Sequence, residues 1–297
     1  MSIHSHGYKP YTGPQTAPRG RFLVVARFAL LDLLASRVIV MLLVMSALPL
    51  LVEGALIYVS HSEAARALLG GIPVLAITPA FFLRSLTIYG FLAFVLAAWA
   101  GPGLVAPDLA NGALPLFLSR PLSRPEYVAG KIAVLVGLLS LVTWLPNLVL
   151  FVLQASLEEG WLGAHMRVGG AILLGSWIWI AVLSLLALAL SAWVRVRVGG
   201  GLLMFGVFFV GQGIGEIWRA VLENPWGRMA NLLHMIRLVW LDLFGMPPDM
   251  LFRGAADRRG ALDGELPVSA AWISLLGVCA LCLWLLDRRV RAKEVVR

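Results

Sequence analysis

Charge is what this sequence is shortest of: 13% of its 297 residues are charged, where a soluble globular protein carries roughly 25%. With 60% hydrophobic residues and a mean hydropathy of +0.87, that shortage argues against a water-soluble enzyme. Lysine is scarcer still, limited to Lys9, Lys131 and Lys293. A phosphate loop needs Gly-x-x-x-x-Gly-Lys-Ser/Thr, so that backbone amides cradle phosphates while the lysine reaches them. Only Lys131 follows a glycine, and Pro125 and Ile132 occupy the first Gly and the Ser/Thr positions. The chain does not bind ATP by that motif, and it is expected not to be an enzyme.

Other catalytic chemistries lack their parts as well. The five histidines (His4, His6, His61, His165, His234) form no His-Glu-x-x-His, so no zinc site is expected. The Glu-Glu-x-x-x-Arg pattern of CAAX-type intramembrane proteases begins at Glu158-Glu159 but is broken at Gly163, and no convergent acid, base or metal set can be assembled. The two cysteines, Cys279 and Cys282, lie within an apolar run. That excludes a disulfide framework, and the run lacks the cations or helix N-terminus that would stabilise a thiolate. The beginning of the chain is polar and shows no short apolar core with a small-residue cleavage site, so the first span is expected to be retained.

What is present is long apolar runs. Six reach spanning length, about 17 residues or more: 38–59, 86–106, 132–153, 168–194, 199–217 and 268–286. The expected fold is an all-α, polytopic membrane protein of six transmembrane helices occupying 38–286. Residues 1–20, rich in Gly, Pro and Ser, read as a disordered tail, and residues 287–297 as a basic tail. The run from Ile72 to Leu83 is too short to cross and holds Pro73 and Pro79, so it reads as a re-entrant or surface piece, or as an early start of the second span.

Residues 21–37, RFLVVARFALLDLLASR, place Arg21, Asp32 and Ser36 on one side of a helix, with Phe22, Ala26, Leu30, Leu33 and Leu34 broadly opposite. With Arg27 also in it, this stretch suits an amphipathic helix in the headgroup layer; the other reading is a plain extension of the first span. Orientation follows from the basic residues. With the N-terminus inside, fifteen of the 24 lysines and arginines fall on the cytoplasmic side, which predicts both termini in the cytoplasm of a multi-pass protein of the inner membrane. Nucleic acid is not an expected partner, because topology accounts for the +8 charge.

The segment 218–267 then lies outside. In it Leu232, Leu233, Ile236, Val239, Trp240, Leu243 and Phe244 recur with helical period, predicting an amphipathic helix on the outer surface or packed over the outer ends of the spans. Within the spans Glu53 stands out; it is either a structural or snorkelling carboxylate or part of a pathway, for which Gln212 is the second candidate. Gln212 and Asn147 also suit hydrogen bonds between helices. Gly211 and Gly215 make a small-residue face for helix or dimer packing.

Between the second and third spans, Pro107 to Lys131 forms a short basic loop dense in helix caps. Asp108 can cap a helix that Gly112 interrupts, and Ser123 can cap the next, with Glu126 at the reciprocal position and Pro125 in the first turn. The order is Asp108, Gly112, then Phe117-Leu118-Ser119-Arg120-Pro121-Leu122-Ser123-Arg124, then Tyr127 and Gly130-Lys131. In these residues the chain resembles the permease subunits of ABC-2-type ATP-binding-cassette transporters, which carry an Asp, a Gly, a Leu-Leu-Ser-Arg-Pro-Val-Ser-Arg-like run and a Gly-Lys in this place.

That resemblance implies a half-transporter, an exporter for efflux, that pairs with a second permease subunit as a homo- or heterodimer among membrane lipids. Separate ATPase subunits, which carry the ATP and Mg, would dock beneath it. Residues 107–131 would be the coupling loop, with Arg120 and Arg124 touching the ATPase and Ser119, Pro121 and Ser123 setting its shape. Lys131 would anchor the third span, and the first and fifth spans would supply dimer contacts. The competing expectation is a membrane anchor or scaffold that transports nothing.

Overall fold

The computed structural model describes residues 20–62, 77–111, 123–194, 196–222, 225–247 and 266–291. These form helices α1 (Arg21–Leu34), α2 (Arg37–His61), α3 (Pro79–Ala100), α4 (Pro102–Ala110), α5 (Arg124–Val142), α6 (Trp144–Leu157), α7 (Trp161–Ala164), α8 (Met166–Trp193), α9 (Arg197–Leu222), α10 (Leu232–Phe244) and α11 (Val268–Arg291), with a 3-10 turn at Pro225–Ala230. No strand occurs among the described residues. Among the described residues, six helical segments are long and apolar enough to cross a membrane: α2, α3 continued into α4, α5 continued into α6, α8, α9 and α11.

The second span starts earlier than the apolar run suggests. Proline at the first helical position costs no hydrogen bond, and Thr78 in extended conformation with Pro79 after it opens α3. The part of the Ile72–Leu83 run that is described, 77–83, therefore leads into the span and is no separate surface piece; residues 72–76 lie outside the described residues. The third span is broken in the middle. Pro146 has no N–H for the Val142 carbonyl, and the chain turns at Thr143 (φ −103°, ψ −88°). Asn147 Nδ2 donates to the Thr143 carbonyl at 2.9 Å, and Thr143 Oγ1 donates to the Leu139 carbonyl at 2.9 Å. The hydrogen bond that Asn147 donates thus stays within its own helix, where the sequence suggested a bond to another helix.

Helix α8 is the centre of the bundle. Its spanning stretch is 67% buried, against 17% for α2 and 22% each for α9 and α11, so the last three are peripheral. Small residues let α8 approach its neighbours: a Cβ on Gly101, at the α3–α4 junction, would overlap Ala187 of α8. Beside it the buried Ser191 hydroxyl donates to the Pro102 carbonyl (2.9 Å) and accepts from the amides of Val105 (3.2 Å) and Ala106 (3.0 Å). The junction between α3 and α4 is thereby satisfied from α8.

The 13-residue helix α10 is too short to span and lies against α3, α8, α9 and α11. Its stripe is buried at Leu232, Ile236, Val239, Trp240 and Phe244, while Arg237 and Asp242 are exposed. Asn231 Oδ1 accepts from the His234 amide at 3.1 Å, and Gly245 (φ +68°) ends the helix. Arg167 of α8 donates to the carbonyls of Asp242 (2.8 Å) and Leu243 (3.1 Å), placing a cation at the helix C-terminus. Asn231→Ala removes the N-cap and is expected to cost about 1 kcal/mol, measured as a lower midpoint of thermal unfolding in detergent.

Candidate functional site

The end of α4 and the start of α5 come together at one end of the bundle. Asp108 lies in the last turn of α4, which begins at Pro102. It therefore does not open a helix, contrary to the capping role that its loop position suggested. Its carboxylate turns to α5, where Tyr127 and Lys131 stand one helical turn apart. Lys131 Nζ is 2.8 Å from Asp108 Oδ2, and the Tyr127 hydroxyl donates to the same oxygen at 2.7 Å. The ammonium also stands 5.5 Å from the Tyr127 ring centroid. Tyr127 and Lys131 are buried, at 1% and 7% exposure, so this charge-assisted set works where water screens little.

Helix α5 is started as the sequence suggested. The Ser123 amide and hydroxyl both donate to Glu126 Oε2 at 2.7 Å, which holds the first turn with Pro125 inside it. Arg124 is half-buried at the first helical residue. Gly112, Leu118, Ser119, Arg120 and Pro121 lie outside the described residues.

Helix α1 is seated on the same turn of α5. A Cβ on Gly130 would stand 2.9 Å from the Phe22 carbonyl oxygen and 3.1 Å from Val25 Cβ. Only glycine lets the two helices approach this closely. Within α1, Phe22 and Leu30 are half-buried and Leu33 is buried, while Arg27, Leu23, Phe28 and Leu31 are exposed; nothing is described of the Arg21 side chain. At the same end Arg289 of α11 donates to the Ala192 carbonyl at 3.3 Å and lies 5.4 Å over the Trp193 ring.

The remaining candidates are not brought to this cluster. Glu53 is buried between α2 and α3, where the Ser85 hydroxyl donates to its Oε2 at 2.7 Å, whereas Gln212 lies on the exposed face of α9. Gly211 and Gly215 face the chain's own 225–231 segment: a Cβ would stand 2.9 Å from the Ala230 carbonyl oxygen and 3.1 Å from Asn231 Cβ, respectively. Among the described residues no three His, Cys, Asp or Glu side chains converge as a metal site would need. Sequence reasoning missed Ser85 and Ser191, because a lone serine in an apolar helix carries no signal of its partner. No protein-family model and no curated protein sequence matches the chain.

Proposed function

We propose that this chain is the permease subunit of an ABC-2-type transporter, an exporter in the cytoplasmic membrane with both termini inside. It moves substrate on ATP hydrolysed by a separate subunit. The observation that carries the reading is the Asp108–Tyr127–Lys131 cluster. It ties the two feet of the 107–131 loop together, so that a push on the loop reaches the second span through α4 and the third through α5. With α1 seated at Gly130, the same push reaches the interfacial helix. A loop that only set topology would need basic residues but no buried clamp at its base. The low burial of α2 and α9 supports a second permease subunit at those helices, on faces other than the one Gly211 and Gly215 fill within the chain.

The test is purification of the tagged chain from its native membrane in mild detergent, followed by assay for a co-purifying, vanadate-sensitive ATPase. The wild type is expected to bring the ATPase with it. The double variant Arg120→Glu, Arg124→Glu is expected to lose it, because charge reversal replaces attraction by repulsion at the contact. A wild-type chain that carries no ATPase, in conditions that preserve complexes of this kind, supports the anchor reading in its place.

A further inference from the structure

A cleft opens between α3 and α10 at the Pro79 end of α3, the end opposite the Asp108 cluster. Arg84 and Asp108 are separated by roughly 36 Å along the helix at 1.5 Å per residue, slightly more than the ~30 Å hydrocarbon thickness of a bilayer. The cleft has a volume of about 350 Å³ and is lined by Arg84, Thr87, Arg237 and Met246, among others. It runs into a second hollow of about 200 Å³ that shares Thr87, Arg237 and Trp240 and continues between Phe91, Phe94 and Phe209. Arg84 and Arg237 thus line a cleft that adjoins a largely aromatic and apolar hollow, with Arg237 bordering both.

The floor of the channel is rigid. Trp179 Nε1 donates to the Gly90 carbonyl at 2.9 Å, and Trp240 Nε1 donates to the Gly175 carbonyl at 3.0 Å. The two indoles meet edge to face at 6.0 Å. A Cβ on Gly90 would stand 2.9 Å from Trp240, so glycine at that position lets the Trp240 ring pack against α3. The walls, in contrast, are open: Phe91 and Phe209 are 59% and 53% exposed. Arg84 and Arg237 are exposed too, and neither makes an ion pair with any described residue. Two exposed guanidiniums beside an apolar hollow, of which Arg84 also feels the buried Glu53 carboxylate, attract a ligand with an anionic head and a hydrocarbon tail.

We propose that this cleft binds an anionic phospholipid of the surrounding bilayer, with the phosphate at Arg84 and Arg237 and one acyl chain along Thr87, Phe91, Phe94 and Phe209. Charge complementarity selects the head, and a preformed hollow spares the tail most of the ordering cost of binding. The site stands independently of the transporter reading, since it requires only that the chain lie in a membrane. It gives the peripheral helix α9 and the capping helix α10 a common lipid contact with α3.

Native mass spectrometry of the full chain in neutral detergent tests it, with dioleoylphosphatidylglycerol and dioleoylphosphatidylcholine titrated separately. Both lipids carry the phosphate, and the wild type is expected to prefer the anionic one by about tenfold because the choline ammonium of the other is repelled by the same guanidiniums. Arg84→Gln with Arg237→Gln is expected to bring the two lipids to parity. Thr87→Phe, which fills the channel and leaves both arginines, is expected to weaken the anionic lipid while the thermal midpoint stays at the wild-type value. Equal binding of both lipids by the wild type overturns the proposal, as does a preference that survives the double substitution. Displacement of the lipid by millimolar sodium phosphate also overturns it, because the site would then be one for small anions.

Discussion

Asp108→Ala is expected to destabilise the chain by about 3 kcal/mol, toward the lower end of the range for breaking a buried ion pair. The lower end applies because the Asp108 side chain keeps 20% of its surface exposed while that of Lys131 keeps 9%. The substitution removes at once the carboxylate that pairs with a buried ammonium and that accepts from the Tyr127 hydroxyl, and the ammonium cannot turn to bulk water without disturbing α5. Tyr127→Phe deletes the hydrogen bond to Asp108 and is expected to cost about 1 kcal/mol. Replacing both charges, Asp108→Leu with Lys131→Met, is expected to recover most of the loss, since the desolvation of both ions is then removed. A double-mutant cycle on unfolding midpoints in detergent checks this. A coupling energy of zero between positions 108 and 131 would refute the clamp. Under the transporter reading, the doubly neutral chain keeps its fold but couples ATP hydrolysis less tightly, because two apolar side chains resist separation less than an ion pair does.

Gly130→Val is the second large effect. The atoms a new side chain would meet include the Phe22 carbonyl oxygen at 2.9 Å, and backbone cannot swing aside as a side-chain tip can. Helix α1 must therefore shift away from α5 as a body, at a cost of about 2 kcal/mol by the usual range for overpacking. Two cysteines, one on α1 and one on α5, placed to crosslink in the wild type should crosslink more slowly in the variant. The ATPase assay adds a functional reading: if α1 receives motion from the loop through this contact, substrate-stimulated turnover falls while ATPase co-purification is retained. An unchanged crosslinking rate would show that the contact is looser than its geometry implies.

The six spanning helices were legible because length and apolar composition are enough to require them in a bilayer. Helix α10 was legible from its period, since one buried stripe needs only a local pattern. The boundary at Pro79 was harder, because proline reads both as a breaker and as a first helical residue, and only the preceding extended residue decides between them. The break at Thr143 shows the converse, with Pro146 inside a long apolar run.

The partners of the polar groups were another matter. Asp108 looked like a helix cap because caps are local, whereas its bond to Lys131 joins residues 23 positions apart, a separation that local rules do not reach. Gly130 looked like one half of a Gly-Lys pair opening a span, and Gly211 and Gly215 looked like a face for another chain. In the fold, Gly130 is where α1 rests, and the other two glycines receive the 225–231 turn. Arg84 and Arg237 lie on separate helices, and nothing in either neighbourhood announces a shared cleft.

By itself, then, the sequence determined that this protein is helical, that six of its segments suit a bilayer, where a non-spanning amphipathic helix lies, and where a basic, turn-rich loop interrupts the spans. These depend on composition and on periods of a few residues, which every helix must satisfy before it packs. Only the tertiary structure decided which helix is central, which carboxylate neutralises which ammonium, and which glycine faces which backbone. Such contacts join residues far apart in the chain, and their energies exist only once the helices are side by side.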